Sequence, residues 1–200
     1  MNNAAMFKMS YGLYMISTRD GDKDNGCIIN TAMQITTTPN QIIVALNKNN
    51  YTHDMILKTK SFNLSMLDER TPFSVFQNFG FQSGKEVDKF NGVSYKRSQN
   101  NIAYLDESTN AYLSANVVST IDVGTHTLFI AEVVEGDVLS DVSSVTYNYY
   151  HQHIKPTPKK ETKKGWRCKI CGYVYEGDPL PEDFICPICK HGASDFEQTI

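Results

Sequence analysis

Residues 166–197 read WRCKICGYVYEGDPLPEDFICPICKHGASDFE, and this stretch holds four of the five cysteines of the chain. The four form two Cys-x-x-Cys pairs, Cys168 with Cys171 and Cys186 with Cys189. Four thiolates at this spacing can close a tetrahedral shell around one metal ion. A segment of about 35 residues has too small an apolar core to fold readily without a metal. The stretch therefore predicts a small metal-knuckle domain, and its ligand spacing suits zinc and iron equally.

The composition of the 200 residues predicts a globular chain. Hydrophobic residues make up 40% and charged residues 20%, and the formal net charge is −3, which gives no general signal for nucleic-acid binding. No apolar run approaches the roughly 20 residues that span a bilayer, and the N-terminal residues show no signal-peptide pattern. We therefore expect a cytoplasmic protein without a membrane or nucleic-acid partner, in which clustered cysteines bind metal rather than form disulfides.

Residues 154–165, IKPTPKKETKKG, predict a flexible linker. The segment has two prolines and five lysines against one glutamate, and after its first residue it has no large apolar side chain with which to build a core. An ordinary surface loop is the alternative. The linker hypothesis predicts a large domain over residues 1–153 and a small, acidic domain over residues 166–200.

The large domain has the pattern of a mainly β fold. Short runs rich in β-branched and aromatic residues predict strands at 11–18, 26–36, 41–48 and 62–67. Two longer runs, 111–121 and 125–139, flank a glycine-containing turn and predict an antiparallel hairpin.

Helices are expected between the strands of the large domain. Thr52 is a candidate cap for a helix over 53–60, and Thr71 followed by Pro72 is a candidate start for one over 73–79. Residues 143–154 predict a terminal helix. Many strands with few helices favour a closed antiparallel barrel.

The sequence around the cysteines resembles rubredoxin. The matching pieces are Cys-x-x-Cys-Gly-Tyr-x-Tyr, Pro-x-Asp-aromatic-x-Cys-Pro-x-Cys and the closing aromatic-Glu. The resemblance implies one iron ion held by Cys168, Cys171, Cys186 and Cys189, and a one-electron role. Two departures are a short segment between the cysteine pairs, as in rubrerythrin-type modules, and Phe184 where tryptophan is usual. Five aromatic side chains can form a dry shell around the sulfurs: Trp166, Tyr173, Tyr175, Phe184 and Phe196.

Three polar clusters in the large domain are candidates for a cofactor site, over residues 30–38, 47–54 and 79–84. The second precedes a predicted helix, whose N-terminus with a nearby lysine suits a phosphate group. Turn formation, helix capping and core packing are the alternatives for the three clusters. The sequence lacks G-x-G-x-x-G after a strand, a P-loop and H-E-x-x-H, so a Rossmann site is not expected.

From about Met6 to about Gly136 the chain resembles the flavin reductase-like family of FMN-binding split β-barrels. The resemblance is carried by YGLYMIST, NGCIINTAMQIT, VALNKNNYTHDMI, FNLSML, FSVFQNFGFQSGKEVDKF and THTLFIAEV. With its rubredoxin-like tail, the whole chain resembles the high-molecular-weight rubredoxins of anaerobic bacteria. This implies a mainly β fold, an FMN-binding split β-barrel with a few helices, joined to a small rubredoxin-like domain. It also implies a homodimer with FMN at the interface.

The same resemblance implies which residues hold the phosphate and the isoalloxazine edges of FMN. Those of the first two clusters are Asn30, Thr31, Ala32, Met33, Gln34, Asn47, Lys48, Asn50, Tyr51 and Thr52, and the third cluster adds Phe81 and Ser83. His126 lies in GTHTLFIAEV, which resembles a flavin reductase signature but has Thr125 and Ala131 in place of aspartate and glycine. A flavin contact and a core histidine both stay open for His126, and His53 is expected at the surface or in a cap.

The resemblance implies an oxidoreductase that passes electrons from NAD(P)H through FMN to the cysteine-bound iron. The implied acceptor is a flavodiiron oxygen or nitric oxide reductase, and no side chain is nominated as a catalytic acid or base. A flavin or ferric-chelate reductase that uses FMN as a substrate is one alternative. A non-catalytic flavin-binding module with a zinc knuckle is the other. Cys27 is either a small buried hydrophobe or a thiol near a redox cofactor.

Overall fold

The computed structural model describes residues 2–156 and 165–199. Most of the predicted linker, residues 157–164, therefore lies outside the described residues. The chain divides into two compact units, Met1–Ile154 and Lys155–Ile200. In the described ranges, no helix is long and apolar enough to cross a membrane.

The first unit is built mainly from strands. They are β1 Tyr14–Asp20, β2 Lys23–Ile29, β3 Ala32–Thr37, β4 Asn40–Asn47, β5 Ser61–Leu67, β6 Tyr95–Arg97, β7 Ala103–Leu105, β8 Thr109–Asp122 and β9 His126–Val138. The helices are α1 Tyr51–Thr59, α2 Phe73–Phe81 and α3 Tyr147–Tyr149, which continues into a π-helical turn, Tyr150–Ile154. A 3-10 turn, Asn3–Lys8, precedes β1.

Seven of these strands form one antiparallel sheet in the order β2-β1-β5-β8-β9-β4-β3. β2 and β3 form the two ends of this order, although only Asn30 and Thr31 separate them in the sequence. Apolar side chains from the sheet share one buried core that includes Ile16, Phe62 and Phe129. The mainly β prediction is confirmed, and so is the predicted hairpin, in which β8 pairs with β9.

A second core lies on the other side of β1, because successive side chains of a strand point to opposite faces. Ile16 belongs to the first core, whereas its neighbour Met15 packs with Phe76 and Phe79 of α2. The buried residues of α2, Phe76 and Phe79, lie on the face of the helix that packs into this second core. The segment that follows α2, residues 82–90, is thereby placed beside β2.

Lys89 links residues 82–90 to β2 by hydrogen bonds from its side chain. Its side chain is 3% exposed, and its Nζ donates hydrogen bonds to Gly26 O at 3.0 Å and Phe79 O at 3.1 Å. Burial lowers the pKa of the Lys89 ammonium group. Because Gly26 lies in β2 and Phe79 near the end of α2, one ammonium group satisfies carbonyls of both elements.

Three local predictions are wrong in detail. The run 26–36 is not one strand, because the chain bends between β2 and β3. Thr52 does not cap α1. Asn50 does, its side chain accepting a hydrogen bond from Thr52 N at 3.1 Å. Thr71 does not cap α2 either, because its hydroxyl donates to Asp68 O and Ser108 O.

The second unit is a small sheet around the cysteines. Its strands are β10 Gly165–Cys168, β11 Val174–Tyr175 and β12 Phe196–Thr199, in the order β11-β10-β12, with a 3-10 turn at Ala193–Asp195. β10 pairs with both neighbours in antiparallel register, and this places Cys168 opposite Phe196. The first cysteine of the predicted metal site is thereby fixed at the end of a strand.

Candidate functional site

The four cysteine sulfurs of the second unit converge on one point. All lie within 4.8 Å of one another. The Sγ atoms of Cys168 and Cys189 are 3.5 Å apart, and those of Cys171 and Cys186 are 3.4 Å apart. A tetrahedral site with metal–sulfur bonds of about 2.3 Å places its sulfurs about 3.8 Å apart. The described sulfurs therefore fit a single tetrahedral ion with a small outward adjustment.

Two similar backbone turns present these sulfurs. Gly172 N donates to Cys168 O and Lys190 N donates to Cys186 O, each at 2.9 Å. Gly172 has a φ of 81°, and Lys190 has a φ of 61° in the same left-handed region. Glycine adopts this region without steric cost, whereas a lysine at position 190 gives no residue-type signal for it.

Burial and backbone N–H groups also shift the pKa values of the cysteine thiols. Burial acts to raise the pKa of the Cys186 thiol, but hydrogen bonds from the N–H groups of Cys189 and Ile188 lower it. Burial raises the pKa of the Cys171 thiol to about 11 and also raises that of the Cys189 thiol. A metal ion that binds here must therefore displace protons, as thiolate ligation requires.

An aromatic shell covers one side of the sulfur cluster. Phe184 stacks edge-to-face on Phe196 at 5.3 Å and lies 4.7 Å from the ring of Tyr175. Trp166 and Tyr173 complete the shell. Cys168 and Cys186 are buried beneath it, while Cys171 and Cys189 are partly exposed. The sulfur cluster is thus shielded at Cys168 and Cys186 and partly exposed at Cys171 and Cys189.

In the first unit, the second polar cluster lies where β4 meets α1. Asn47, the last residue of β4, pairs with His126, the first residue of β9. Lys48 N donates to Thr125 O at 3.0 Å, and Lys48 Nζ lies 2.6 Å from a carboxylate oxygen of Asp122. This hydrogen bond from Lys48 lowers the pKa of the Asp122 carboxyl group. Amide, ammonium and imidazole groups therefore share one end of the barrel.

The fold places the residues of the first polar cluster, 30–38, at two different positions. Thr31 lies beside β4, where its carbonyl accepts a hydrogen bond from Ala45 N at 3.2 Å. Further along β3, Ala32, Met33 and Gln34 line a separate, mostly apolar cavity of about 360 Å³. Gln34 Nε2 donates there to Asn40 Oδ1 at 2.9 Å. Thr31 is therefore the member of this cluster that the hydrogen bonds place nearest the end of β4, and its hydroxyl donates to Asn30 Oδ1 at 3.1 Å.

The third polar cluster contacts Asn25, and Asn25 in turn contacts the start of α1. No pattern in the sequence selects Asn25. Asn25 Nδ2 donates to Thr52 Oγ1 at 3.0 Å. A Cβ on Gly84 would lie 2.0 Å from Asn25 Oδ1, so glycine is required for this close approach. Ser83 precedes that contact, whereas Phe81 packs against Phe73 of its own helix at 6.1 Å.

His53 is buried, so the expectation of a surface or cap position for it is wrong. Its Nε2 lies 2.9 Å from Thr127 Oγ1 and its Nδ1 lies 3.0 Å from Asp54 Oδ1. His53 therefore links α1 to β9 by a hydrogen bond. His126, the neighbour of Thr127 in β9, is half-buried and shares a hydrogen bond with Thr125. The buried face of α1, which also includes Thr52 and Met55, is the signal that could have identified His53.

Cys27 lies in the barrel core and is 1% exposed. Burial raises the pKa of its thiol. Its position agrees with the interpretation of Cys27 as a small buried hydrophobe.

Comparisons with known proteins agree with the two-unit structure. Residues 6–158 match the flavin reductase like domain family, and residues 166–197 match the rubrerythrin, rubredoxin-like domain. The high molecular weight rubredoxin of Moorella thermoacetica is 40% identical over 228 aligned positions, which cover 99% of this chain and 100% of that protein. The ferric-chelate reductase (NAD(P)H) of Archaeoglobus fulgidus is 39% identical over 163 positions, or 81% of this chain and 96% of that one.

A solved structure shares the fold of the first unit. The NADH:FAD oxidoreductase SgcE6 of Streptomyces globisporus C-1027 superposes with a TM-score of 0.64 over 71% of this chain and 84% of its own. The sequence identity is 16%, so this likeness concerns the fold alone.

Proposed function

From the premise that this chain belongs to the flavin reductase-like family and carries a rubredoxin-like domain, we propose that it is an electron-transfer oxidoreductase. It takes electrons from NAD(P)H and delivers them, by way of FMN and one iron ion, to an acceptor protein. The observation that carries the proposal is the convergence of four cysteine sulfurs in a chain whose larger unit has a flavin reductase-like fold.

The cysteine centre suits repeated one-electron transfer. Cys168 and Cys186 lie beneath the aromatic shell, which excludes water and holds the sulfurs in place. Cys171 and Cys189 reach the surface, so an electron can enter and leave on their side. The domain boundaries that go with this role, 1–153 and 166–200 with a linker between them, are part of the proposal.

The end of the barrel near Asn47 suits FMN. Lys48 provides a cation for the phosphate when it exchanges its ion pair with Asp122 for the ligand. Thr31, Asn47 and Tyr51 provide hydroxyl and amide groups for polar edges. Asn30, Ala32, Met33, Gln34, Asn50, Thr52, Phe81, Ser83 and His126 complete the proposed set of FMN contacts. When bound, FMN supplies the conversion between hydride transfer and single electrons, and iron supplies a one-electron centre.

Exposed apolar side chains support a homodimer. Met33 is 61% exposed, Val134 55% and Val118 51%, and these residues lie on β3, β9 and β8. Ile35 and Ile121 are exposed on the same strands. Such side chains are suited to burial against a second copy of the chain, and we propose that FMN binds at that interface.

The acceptor is proposed to be a flavodiiron-type protein with a basic docking surface. The described tail carries three basic side chains, Arg167, Lys169 and Lys190, against six acidic ones, so its formal charge is −3. Ile170, Ile185 and Ile188 are exposed near the cysteines. An apolar patch within an acidic domain favours brief association with a complementary basic surface.

Anaerobic titration with NADH and with NADPH tests this electron path. Purified protein should show a flavin absorption band and a red ferric–thiolate band, and at least one nicotinamide should bleach both. Bleaching of the flavin band alone, with the iron band unchanged, would contradict the proposed path. Metal analysis of the same sample should give iron, because a zinc centre would make the tail a structural knuckle.

Removal of the tail tests whether electrons leave the protein through the cysteine centre. A chain that ends at residue 164 should keep flavin reduction by the nicotinamide and lose at least about 90% of electron delivery to the acceptor, because the cysteine centre is gone. The rate of acceptor reduction measures this effect. Full delivery by the shortened chain would contradict the tail's role.

The second candidate function is reduction of ferric chelates, which the 39% identity to a ferric-chelate reductase favours. A shortened chain that still reduces ferric chelates at the full rate, together with flavin that separates on a desalting column, would support this function instead.

A further inference from the structure

A groove of about 990 Å³ lies between the β1–β2 turn and residues 84–95. Gly84 lines it and lies against Asn25, which is hydrogen-bonded to Thr52 in the first turn of α1. A ligand in this groove would therefore lie next to the residues proposed to hold FMN.

Two lysines of the groove converge on one aromatic ring. Lys23 Nζ lies 4.9 Å from the centroid of the Tyr51 ring, and Lys85 Nζ lies 5.4 Å from it. Lys23 begins β2 and Lys85 follows α2, so the fold brings them together from distant parts of the sequence. Within residues 2–156 and 165–199, no carboxylate oxygen lies within 4.0 Å of either ammonium nitrogen.

The acidic residues of the groove are for the most part already bound to other groups. Asp24 lies between Arg19 and Arg97, with nitrogen–oxygen distances of 2.7 Å to each. Asp20 accepts from Lys58 Nζ at 2.5 Å, and Asp88 accepts from Phe90 N at 3.0 Å. Asp22 also pairs with Arg19, at 3.3 Å, so of the five carboxylates that line the groove only Glu86 and Asp88 have no ion pair within the described residues. Neither carboxylate lies within 4.0 Å of the two lysine ammonium nitrogens, and Lys23 and Lys85 can therefore bind an anion.

We propose that Lys23 and Lys85, which flank the Tyr51 ring, bind a phosphate group of the nicotinamide dinucleotide that reduces this protein. The adenosine half of the dinucleotide lies in the groove, and its nicotinamide end reaches the neighbouring FMN site. Two ammonium groups provide charge-assisted hydrogen bonds to phosphate oxygens. This assignment rests on the proposed function, in which a nicotinamide is the electron donor.

Titration calorimetry with adenine nucleotide fragments tests the assignment on the full-length, FMN-loaded protein. The probes are ADP and adenosine 2′,5′-bisphosphate, which carry the bridging diphosphate and the 2′-phosphate in turn. In Lys23→Gln and in Lys85→Gln the dissociation constant should rise about tenfold, which corresponds to about 1.4 kcal/mol. Lys96→Gln is the matched control, because Lys96 is an exposed lysine outside the groove that pairs with Asp106. Its affinity should equal that of the wild type.

The losses of affinity for the two probes, taken together, identify which phosphate group of the dinucleotide the lysines bind. Equal losses for both probes assign the lysines to the diphosphate, and a loss confined to the 2′,5′-bisphosphate assigns them to the 2′-phosphate and the donor to NADPH. Wild-type affinity in the Lys23→Gln/Lys85→Gln double variant, or absence of fragment binding by the wild type, would overturn the assignment. So would release of FMN from the double variant on desalting, since the lysines would then serve the FMN phosphate.

Reduction of the wild-type protein separates this inference from the proposed function. If neither NADH nor NADPH reduces it, the donor of the proposed function is wrong, whatever the lysines bind. If a nicotinamide reduces the wild type but the lysine variants bind the fragments normally, only the groove assignment is wrong.

Discussion

Replacement of Cys186 with serine should abolish iron binding and unfold the tail. Cys186 is fully buried, and its sulfur lies 3.4 Å from that of Cys171. A serine hydroxyl stays protonated near neutral pH and is a poor ligand for this ion. Zinc contributes about 10–16 kcal/mol to the folding of zinc-finger peptides, and by the same coupling of metal binding to folding a lost ligand should remove most of what holds this small domain together. The flavin band and its reduction by a nicotinamide should remain.

Metal analysis, the red absorption band and protease sensitivity of the tail measure this effect. Cys27→Ser is the matched control, because Cys27 is equally buried but lies in the barrel core. That control should keep one iron per chain, although its barrel should lose some stability. A Cys186→Ser protein that retained iron and a protease-resistant tail would refute the four-cysteine site.

Replacement of Lys89 with methionine should destabilise the first unit by about 2–4 kcal/mol. The substitution keeps a flexible side chain of similar length but leaves Gly26 O and Phe79 O without the donor that now serves them. Each buried carbonyl that loses its partner costs about 1–3 kcal/mol. For a unit of this size the melting temperature should fall by roughly 4–16 °C.

Thermal unfolding followed by far-ultraviolet circular dichroism checks the effect on the barrel. Lys96→Met is the control, because Lys96 is exposed and its ion pair with Asp106 has a separation of 3.9 Å. Its melting temperature should change by less than about 2 °C. An equal change in both variants would show that Lys89 does not join α2 to β2 as described.

The features that the sequence predicted well are those whose geometry is local. Two Cys-x-x-Cys pairs at a fixed spacing determine how four sulfurs meet, so the tail could be predicted before any tertiary contact was known. The β8–β9 hairpin is similar, because one glycine-containing turn joins two strands that pair directly.

The details that could not be predicted depend on distant contacts. The bend at Asn30 and Thr31 is fixed by the pairing of β3 with β4, so the apolar run around it gives no sign of a break. Asn50 and Thr52 are both good capping residues, and the choice follows from the hydrogen bond between Thr52 and Asn25. The burial of His53 depends in the same way on Thr127 of β9.

The uneven burial of the cysteines restricts how an electron can leave. Electronic coupling weakens with distance, so a partner that collides with the covered side of the tail gains nothing from the encounter. If electrons leave through the cysteine centre, as proposed, we expect approaches over Cys171 and Cys189 to be the productive ones, because these two cysteines are partly exposed. Orientational restriction of this kind reduces association rates from the diffusion limit to about 10⁵–10⁷ M⁻¹s⁻¹ for typical protein pairs. Under the proposed function, the aromatic shell therefore limits the orientations in which the tail can pass an electron to an acceptor, and we expect the rate of transfer to depend on how often the partly exposed side meets that acceptor.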